Sequence, residues 1–213
     1  MAKRVTDGSL LTTNERSRIK QLGEPIALLL GRIGFSPDAL TLVGFGIVIV
    51  AAVQVAVGNW AIAAAVLIAG TLFDGLDGTL ARATNRVTPF GAFFDSSLDR
   101  AAEAAIYAGV VYSAAVIGDT RIATAAALAL GIGSLVSYVR ARGEGLGVSA
   151  HGGIAQRAER AVLLILGLLV AGLTAETSYL LCALVIIVAL SGITVVQRMN
   201  VVRAALATTG RRA

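Results

Sequence analysis

Charge is scarce in this 213-residue sequence: only 15% of residues are Asp, Glu, Lys or Arg, while 56% are hydrophobic. Soluble domains carry about 25% charged and about 45–50% apolar residues, so a chain this poor in charge belongs in a membrane. Cysteine and histidine each occur once. Cys182, in an apolar run over 180–190, forms no disulfide within the chain and needs no oxidising compartment; it is expected to act as a small buried hydrophobe. His151 stands in the polar, glycine-rich stretch 145–153 and is expected to be a solvated loop residue. So few nitrogen and sulfur donors argue against zinc. Residues 1–20 are polar and basic and lack the apolar core of a signal peptide, so the first membrane helix is expected to direct insertion. The net charge of +5 does not point to nucleic acid, because the basic residues flank apolar runs and form no soluble patch.

What the chain does have is length in apolar runs. Six of them, over 37–57, 60–80, 91–117, 122–142, 153–173 and 178–196, are each close to the roughly 20 residues that a membrane helix requires. The expected architecture is a single all-α integral membrane domain over 1–213, with a six-helix transmembrane bundle at 37–198. Before it, Ile19, Leu22, Ile26, Leu29, Leu30 and Ile33 recur at helical spacing among Arg16, Arg18, Lys20 and Glu24. That pattern predicts an amphipathic helix over about 12–33 lying in the membrane interface, bent where Pro25 removes a hydrogen bond. Glycines within the spans, such as Gly44, Gly46 and Gly131, are expected at packing contacts.

Basic residues are retained on the cytoplasmic side of membrane proteins. Here they precede the first span, follow the second, join the fourth to the fifth and fill the tail, whereas the opposite loops hold little beyond Asp119, Arg121 and Glu176. Both termini are therefore expected in the cytoplasm, with the protein multi-pass in the cell membrane.

The same side carries an unusual density of acid: Asp74, Asp77, Asp95 and Asp99, four carboxylates in a short window with no lysine among them. Asp74 and Asp77 at i,i+3 share a helix face, as do Asp95 and Asp99 at i,i+4. Ionised carboxylates at membrane depth are costly, so such a cluster requires a cation or a shared proton. Hard oxygen donors suit Mg²⁺, Mn²⁺ or Ca²⁺, and clustered carboxylates can bridge two ions about 3.5–4 Å apart. Gly75, Gly78 and Gly91 beside the acids would let a bulky substrate approach the backbone, and Arg82 is placed to meet a phosphate or to neutralise the cluster.

Asp74, Asp77-Gly78, Ala81-Arg82, Gly91, Asp95 and Asp99 match at every fixed position the signature D-x-x-D-G-x-x-A-R-x8-G-x-x-x-D-x-x-x-D, by which the chain resembles the CDP-alcohol phosphotransferases. The resemblance implies that the four aspartates bind two divalent ions, Mg²⁺ or Mn²⁺, that Asp99 is also the general base, and that the protein is a homodimer in membrane lipid. The implied reaction is attack by an alcohol on a CDP-activated lipid, releasing CMP. Asp38 and Thr41, in Ser36-Pro37-Asp38-Ala39-Leu40-Thr41, are similar to the family's entry into its first helix and would approach the cytidine. Ser36 followed by Pro37 is also an ordinary helix start.

The acceptor is suggested by arginines at helix ends. Ser137, Arg140, Arg160 and Arg198 resemble the acceptor pocket of the branch that uses inositol 1-phosphate, with arginine at Arg140 where lysine is common. Arginine keeps the charge and changes the geometry. Such residues also serve as positive-inside anchors. A synthase using glycerol 3-phosphate is the enzymatic alternative, and a cation transporter with acids in its path is the non-enzymatic one.

Overall fold

The structure, a computed structural model, describes residues 25–26, 28–150 and 152–209, apart from the side chains of Leu72, Asp74, Thr208 and Thr209. Most of the expected interfacial helix, and His151, lie outside the described residues. Residues 28–32 are helical, and the turn is closed by a Phe35 N–H bond to the Leu30 carbonyl at 3.1 Å. Gly34, at φ 98°, supplies the left-handed residue that such a helix end requires.

Six helices follow: α1 (Pro37–Ala56), α2 (Trp60–Ala83), α3 (Pro89–Val116), α4 (Thr120–Glu144), α5 (Arg157–Thr174) and α6 (Ser178–Thr209). Their starts are written in the sequence. Ser36 accepts the Ala39 N–H at 3.2 Å ahead of Pro37; Thr88 accepts the Gly91 N–H at 2.9 Å ahead of Pro89; Asp119 accepts the Arg121 N–H at 3.0 Å. Each hydroxyl or carboxylate satisfies an otherwise unpaired helix N–H.

Four helices, α1, α2, α4 and residues Ser178–Ala207 of α6, are long and apolar enough to cross a membrane. α3 and α5 fall outside that set; they carry Asp95, Asp99, Arg100 and Glu103, and Arg157, Glu159 and Arg160 respectively. Around the bundle the helices form a closed ring in the order α1, α2, α5, α6, α4, α3, returning to α1.

The ring closes on small side chains. Ala51, Ala63, Ala64, Ala126 and Ala129 are fully buried among Val55, Ile106, Leu168 and Leu184, and Trp60 Nε1 donates to Ser113 Oγ at 3.0 Å to join α2 to α3. At Gly109 a Cβ would lie 2.6 Å from the Ala52 carbonyl oxygen, so α3 meets the backbone of α1 there. In lipid, where burial drives helix association weakly, such close packing carries the stability.

Four expectations need correction. Gly46 and Gly131 have nothing within 4 Å of a Cβ position and face outward, whereas Gly109 and Gly167 make the close approaches. Cys182 is exposed on the outer face of α6, not buried. α5 begins at Arg157 instead of 153, because Gly152 and Gly153 take φ of 108° and 115°. α6 runs on to Thr209 instead of 196, since helix-forming residues continue past the apolar run with no glycine or proline to stop them.

Candidate functional site

The beginning of α1, the end of α2 and the beginning of α3 converge at one end of the ring. A five-residue link makes this possible: α2 ends at Ala83, Asn85 takes φ 54°, and Thr88 starts α3 again. Asparagine tolerates that backbone better than most residues. Between the three helix ends lies a cavity of about 210 Å³, walled in part by Asp38, Thr41, Asp77, Arg82, Gly91 and Asp95. Gly78 is also in its wall.

Asp77 is only 9% exposed and is held from two sides. Thr41 Oγ1 donates to Oδ2 at 2.6 Å, and the Gly78 N–H donates to Oδ1. These bonds tie α1 to α2 and orient a carboxylate in the cavity wall. A Cβ at Gly91 would lie 3.5 Å from Asp38 Oδ1 and 3.1 Å from Thr88 Oγ1, so glycine keeps this wall open. Gly75 has nothing within 4 Å of a Cβ position and stands exposed on α2. Arg82 Nη2 reaches Thr79 Oγ1 at 3.4 Å.

The metal-ligand candidates facing this cavity are carboxylate and hydroxyl oxygens, with no histidine, cysteine or lysine among the described residues of its walls, which fits a hard divalent cation. Among the described residues no three His, Cys, Asp or Glu side chains gather closely enough to form a metal cluster; Asp74's side chain is not among them.

Asp99, one turn beyond Asp95 on α3, is not among the wall residues of that cavity. It walls a cavity of about 330 Å³ beneath α1 and α2 and a larger one of about 600 Å³ between α3, α4, α5 and α6. The larger cavity contains all four residues expected around an acceptor, Ser137, Arg140, Arg160 and Arg198, together with Arg100 and Arg157. Four carboxylates, Asp99, Glu103, Glu144 and Glu159, share its walls.

The arginines are not equivalent. Arg140 Nε lies 2.9 Å from Glu144 Oε1 at the exposed rim. Arg160 is 1% exposed; its Nε and Nη2 both donate to Glu103 Oε1, at 3.1 and 2.6 Å, and Nη1 donates to the Ala155 carbonyl at 3.3 Å. Arg198, 4% exposed, donates instead to two backbone carbonyls, Gly152 at 2.9 Å and Val136 at 2.6 Å. Neutral carbonyls fix its guanidinium without cancelling the charge. That makes it the best-placed fixed cation for an anion in this cavity.

Arg157, whose Nη1 lies 2.7 Å from Asp99 Oδ2, and Glu103 were not singled out from the sequence. Their signal was spacing: Glu103 is four residues after Asp99 and Arg157 three before Arg160, so each shares a helix face with a residue already chosen. Glu159 Oε2 is buried without a hydrogen-bond partner among the described residues.

The match to known proteins extends over most of the chain. Residues 35–196 match the CDP-alcohol phosphatidyltransferase family model. An archaetidylinositol phosphate synthase of Methanothermobacter thermautotrophicus is 39% identical over 184 residues, 86% of this chain and 90% of that protein. A phosphatidylinositol phosphate synthase of Mycobacteroides abscessus is 36% identical over 192 residues, 88% and 86% of the two chains. The crystal structure of Mycobacterium tuberculosis phosphatidylinositol phosphate synthase with CDP-DAG bound superposes with a TM-score of 0.81 at 30% identity, covering 85% of this chain and 94% of that one. The same enzyme in complex with manganese and citrate gives 0.80, covering 84% and 88%. The chain belongs to the CDP-alcohol phosphatidyltransferase family, and it is a membrane transferase of phospholipid biosynthesis.

Proposed function

We propose that this transferase moves the phospholipid group of a CDP-activated lipid onto the hydroxyl of inositol 1-phosphate and releases CMP. The carrying observation is the arginine-walled cavity of about 600 Å³, which meets the aspartate region at Asp99 and holds Arg198 with its charge uncompensated by a carboxylate hydrogen bond. A neutral alcohol needs no such wall. A phosphorylated one does, because the nearby aspartates would otherwise repel it. The relatives' names support inositol phosphate as the acceptor.

Asp74, Asp77, Asp95 and Asp99 would hold two divalent ions, Mg²⁺ or Mn²⁺, with Thr41 orienting Asp77. Bound there, the ions neutralise diphosphate charge and stabilise the departing CMP. Asp38, Thr41, Gly78, Arg82 and Gly91, which wall one cavity, receive the nucleotide diphosphate, glycine backbone allowing its close approach; Gly75, exposed on α2, is not in that wall. Ser137, Arg140 and Arg198 orient the acceptor phosphate, and Arg160 shapes the wall between them. Asp99 takes the hydroxyl proton as oxygen attacks the phosphorus bearing the lipid.

All six helices cross the cell membrane in this reading. α3 and α5, with 28 and 18 residues, are about 42 and 27 Å long at 1.5 Å per residue, against an apolar core of about 30 Å. Their charges turn inward to the cavities. An even number of spans puts both ends of the bundle on one side, and the basic residues assign that side, with the active site, to the cytoplasm. Family likeness supports a homodimer.

The test is competition. Purified protein is given CDP-lipid with equal inositol 1-phosphate and glycerol 3-phosphate, with Mg²⁺, Mn²⁺ or excess chelator, and CMP and lipid products are measured. Inositol phosphate lipid as the main product, abolished by chelator, is expected; a glycerol phosphate lipid as the main product overturns the acceptor assignment.

A further inference from the structure

Two ion pairs join α3 to α5 across the interior of the ring, although these helices are not neighbours in it. Arg157 meets Asp99 at 2.7 Å, and Arg160 meets Glu103 at 2.6 Å. The i,i+4 and i,i+3 spacings place the two rungs one helical turn apart.

The rungs differ in their surroundings. The inner rung is enclosed: Arg160's side chain is 2% exposed, it also holds the Ala155 carbonyl, and a Cβ at Gly133 would lie 3.2 Å from its Nε. It is a fixed strut. The outer rung faces open space, with 43% of the Arg157 side chain exposed. Both Asp99 and Arg157 wall the cavity under α1 and α2 and also the arginine-walled cavity. The outer rung therefore stands between the two.

We propose that Arg157 is a specificity residue that occupies Asp99 until a phosphorylated acceptor draws its guanidinium away, joining the two cavities and leaving Asp99 to face the acceptor hydroxyl. This rests on the proposed acceptor reading and adds to it a means of keeping water from reacting. A phosphate dianion offers the guanidinium a bidentate, charge-assisted partner in exchange for the carboxylate. Water offers none. In the side reaction so suppressed, a water oxygen bonds to the phosphorus bearing the lipid, the phosphorus–oxygen bond to CMP breaks, and the water proton passes to Asp99. The products are CMP and the lipid monophosphate.

The experiment measures CMP, transfer product and lipid monophosphate from CDP-lipid with wild type, Arg157→Gln and Arg157→Lys, with and without inositol 1-phosphate, alongside calorimetric binding of inositol 1-phosphate. For Arg157→Gln, acceptor-free CMP release is expected to rise about tenfold relative to its own transfer rate, the worth of one charged hydrogen bond, and acceptor affinity to fall by a similar factor. Arg157→Lys is expected to restore most of the coupling between CMP and transfer product. Hydrolysis falling in step with transfer in Arg157→Gln, or unchanged acceptor affinity, overturns the proposal and makes the rung structural. A wild type that uses no phosphorylated acceptor overturns the acceptor reading itself, and the gate with it.

Discussion

The two cavities are opposites in charge and in how they are built. The aspartate-walled one draws all its walls from residues 37–95, the ends of three consecutive helices. The arginine-walled one draws on four helices from Ala92 to Arg198. In the first, a local motif supplies the side chains, and a small link between α2 and α3 is enough to bring them together. In the second, the cations arrive on four different helices, and only the packing of the ring brings them together. In the proposed reading, reaction type is set by a compact sequence segment and acceptor choice by tertiary packing, so acceptor preference can change without disturbing the aspartates.

The sharpest way to break this division is at Asp99, which stands one turn beyond Asp95 on α3 and walls the arginine cavity. Asp99→Asn is expected to lower the rate by about 10²–10⁴-fold, the usual contribution of a positioned general base, with a smaller change in CDP-lipid binding. Single-turnover CMP release beside equilibrium CDP-lipid binding checks it, and wild-type turnover in the variant removes Asp99 from the chemistry.

Within the arginine cavity, Arg160 and Arg198 should separate by what fails. Arg160→Gln leaves Glu103 without its buried partner, a loss of about 3–5 kcal/mol that should appear as a lower unfolding temperature. Adding Glu103→Gln should recover part of it. Arg198→Gln should instead raise the acceptor KM about tenfold or more, as for a charged hydrogen bond, with CDP-lipid affinity less affected. Equal thermal losses in both variants would erase the distinction between strut and anion site.

The smallest effect lies at the far end of the ring. The hydrogen bond from the Arg121 side chain is the main reason that the Asp119 carboxyl sits below its usual range, helped by the Ile122 N–H and opposed by desolvation. Its charge should stabilise the fold above the unfolded value of about 3.9 and lose that effect as pH falls through the depressed folded value. Asp119→Asn, which keeps a capping side chain, should therefore unfold slightly earlier than wild type at pH 7 and no earlier once the pH is low enough to protonate the carboxyl in the folded state.

Much of the fold is readable in the chain because its signals are local. Ser36-Pro37 and Thr88-Pro89 mark helix starts, and α1, α2 and α4 lie within three residues of the expected limits. The aspartate cavity was legible for the same reason: Asp77, Gly78, Gly91 and Asp95 belong to one motif. What stayed hidden depends on the rotation of each helix about its own axis. Gly46, Gly131 and Cys182 were expected inside and face outward, since spans apolar all round carry no mark of their buried face. The pairing of Arg157 with Asp99 and of Arg160 with Glu103 required knowing that α3 and α5 face each other across the ring. The region before residue 25 lies outside the described residues, so the interfacial helix remains an expectation.

The most direct test of the two-cavity account is a structure of the protein with Mn²⁺ and inositol 1-phosphate. Anomalous scattering should locate manganese among Asp74, Asp77, Asp95 and Asp99, and the acceptor phosphate should lie between Arg140 and Arg198 with a hydroxyl directed toward Asp99. An acceptor phosphate bound instead beside Asp38 and Arg82, or manganese away from the aspartates, would contradict the account.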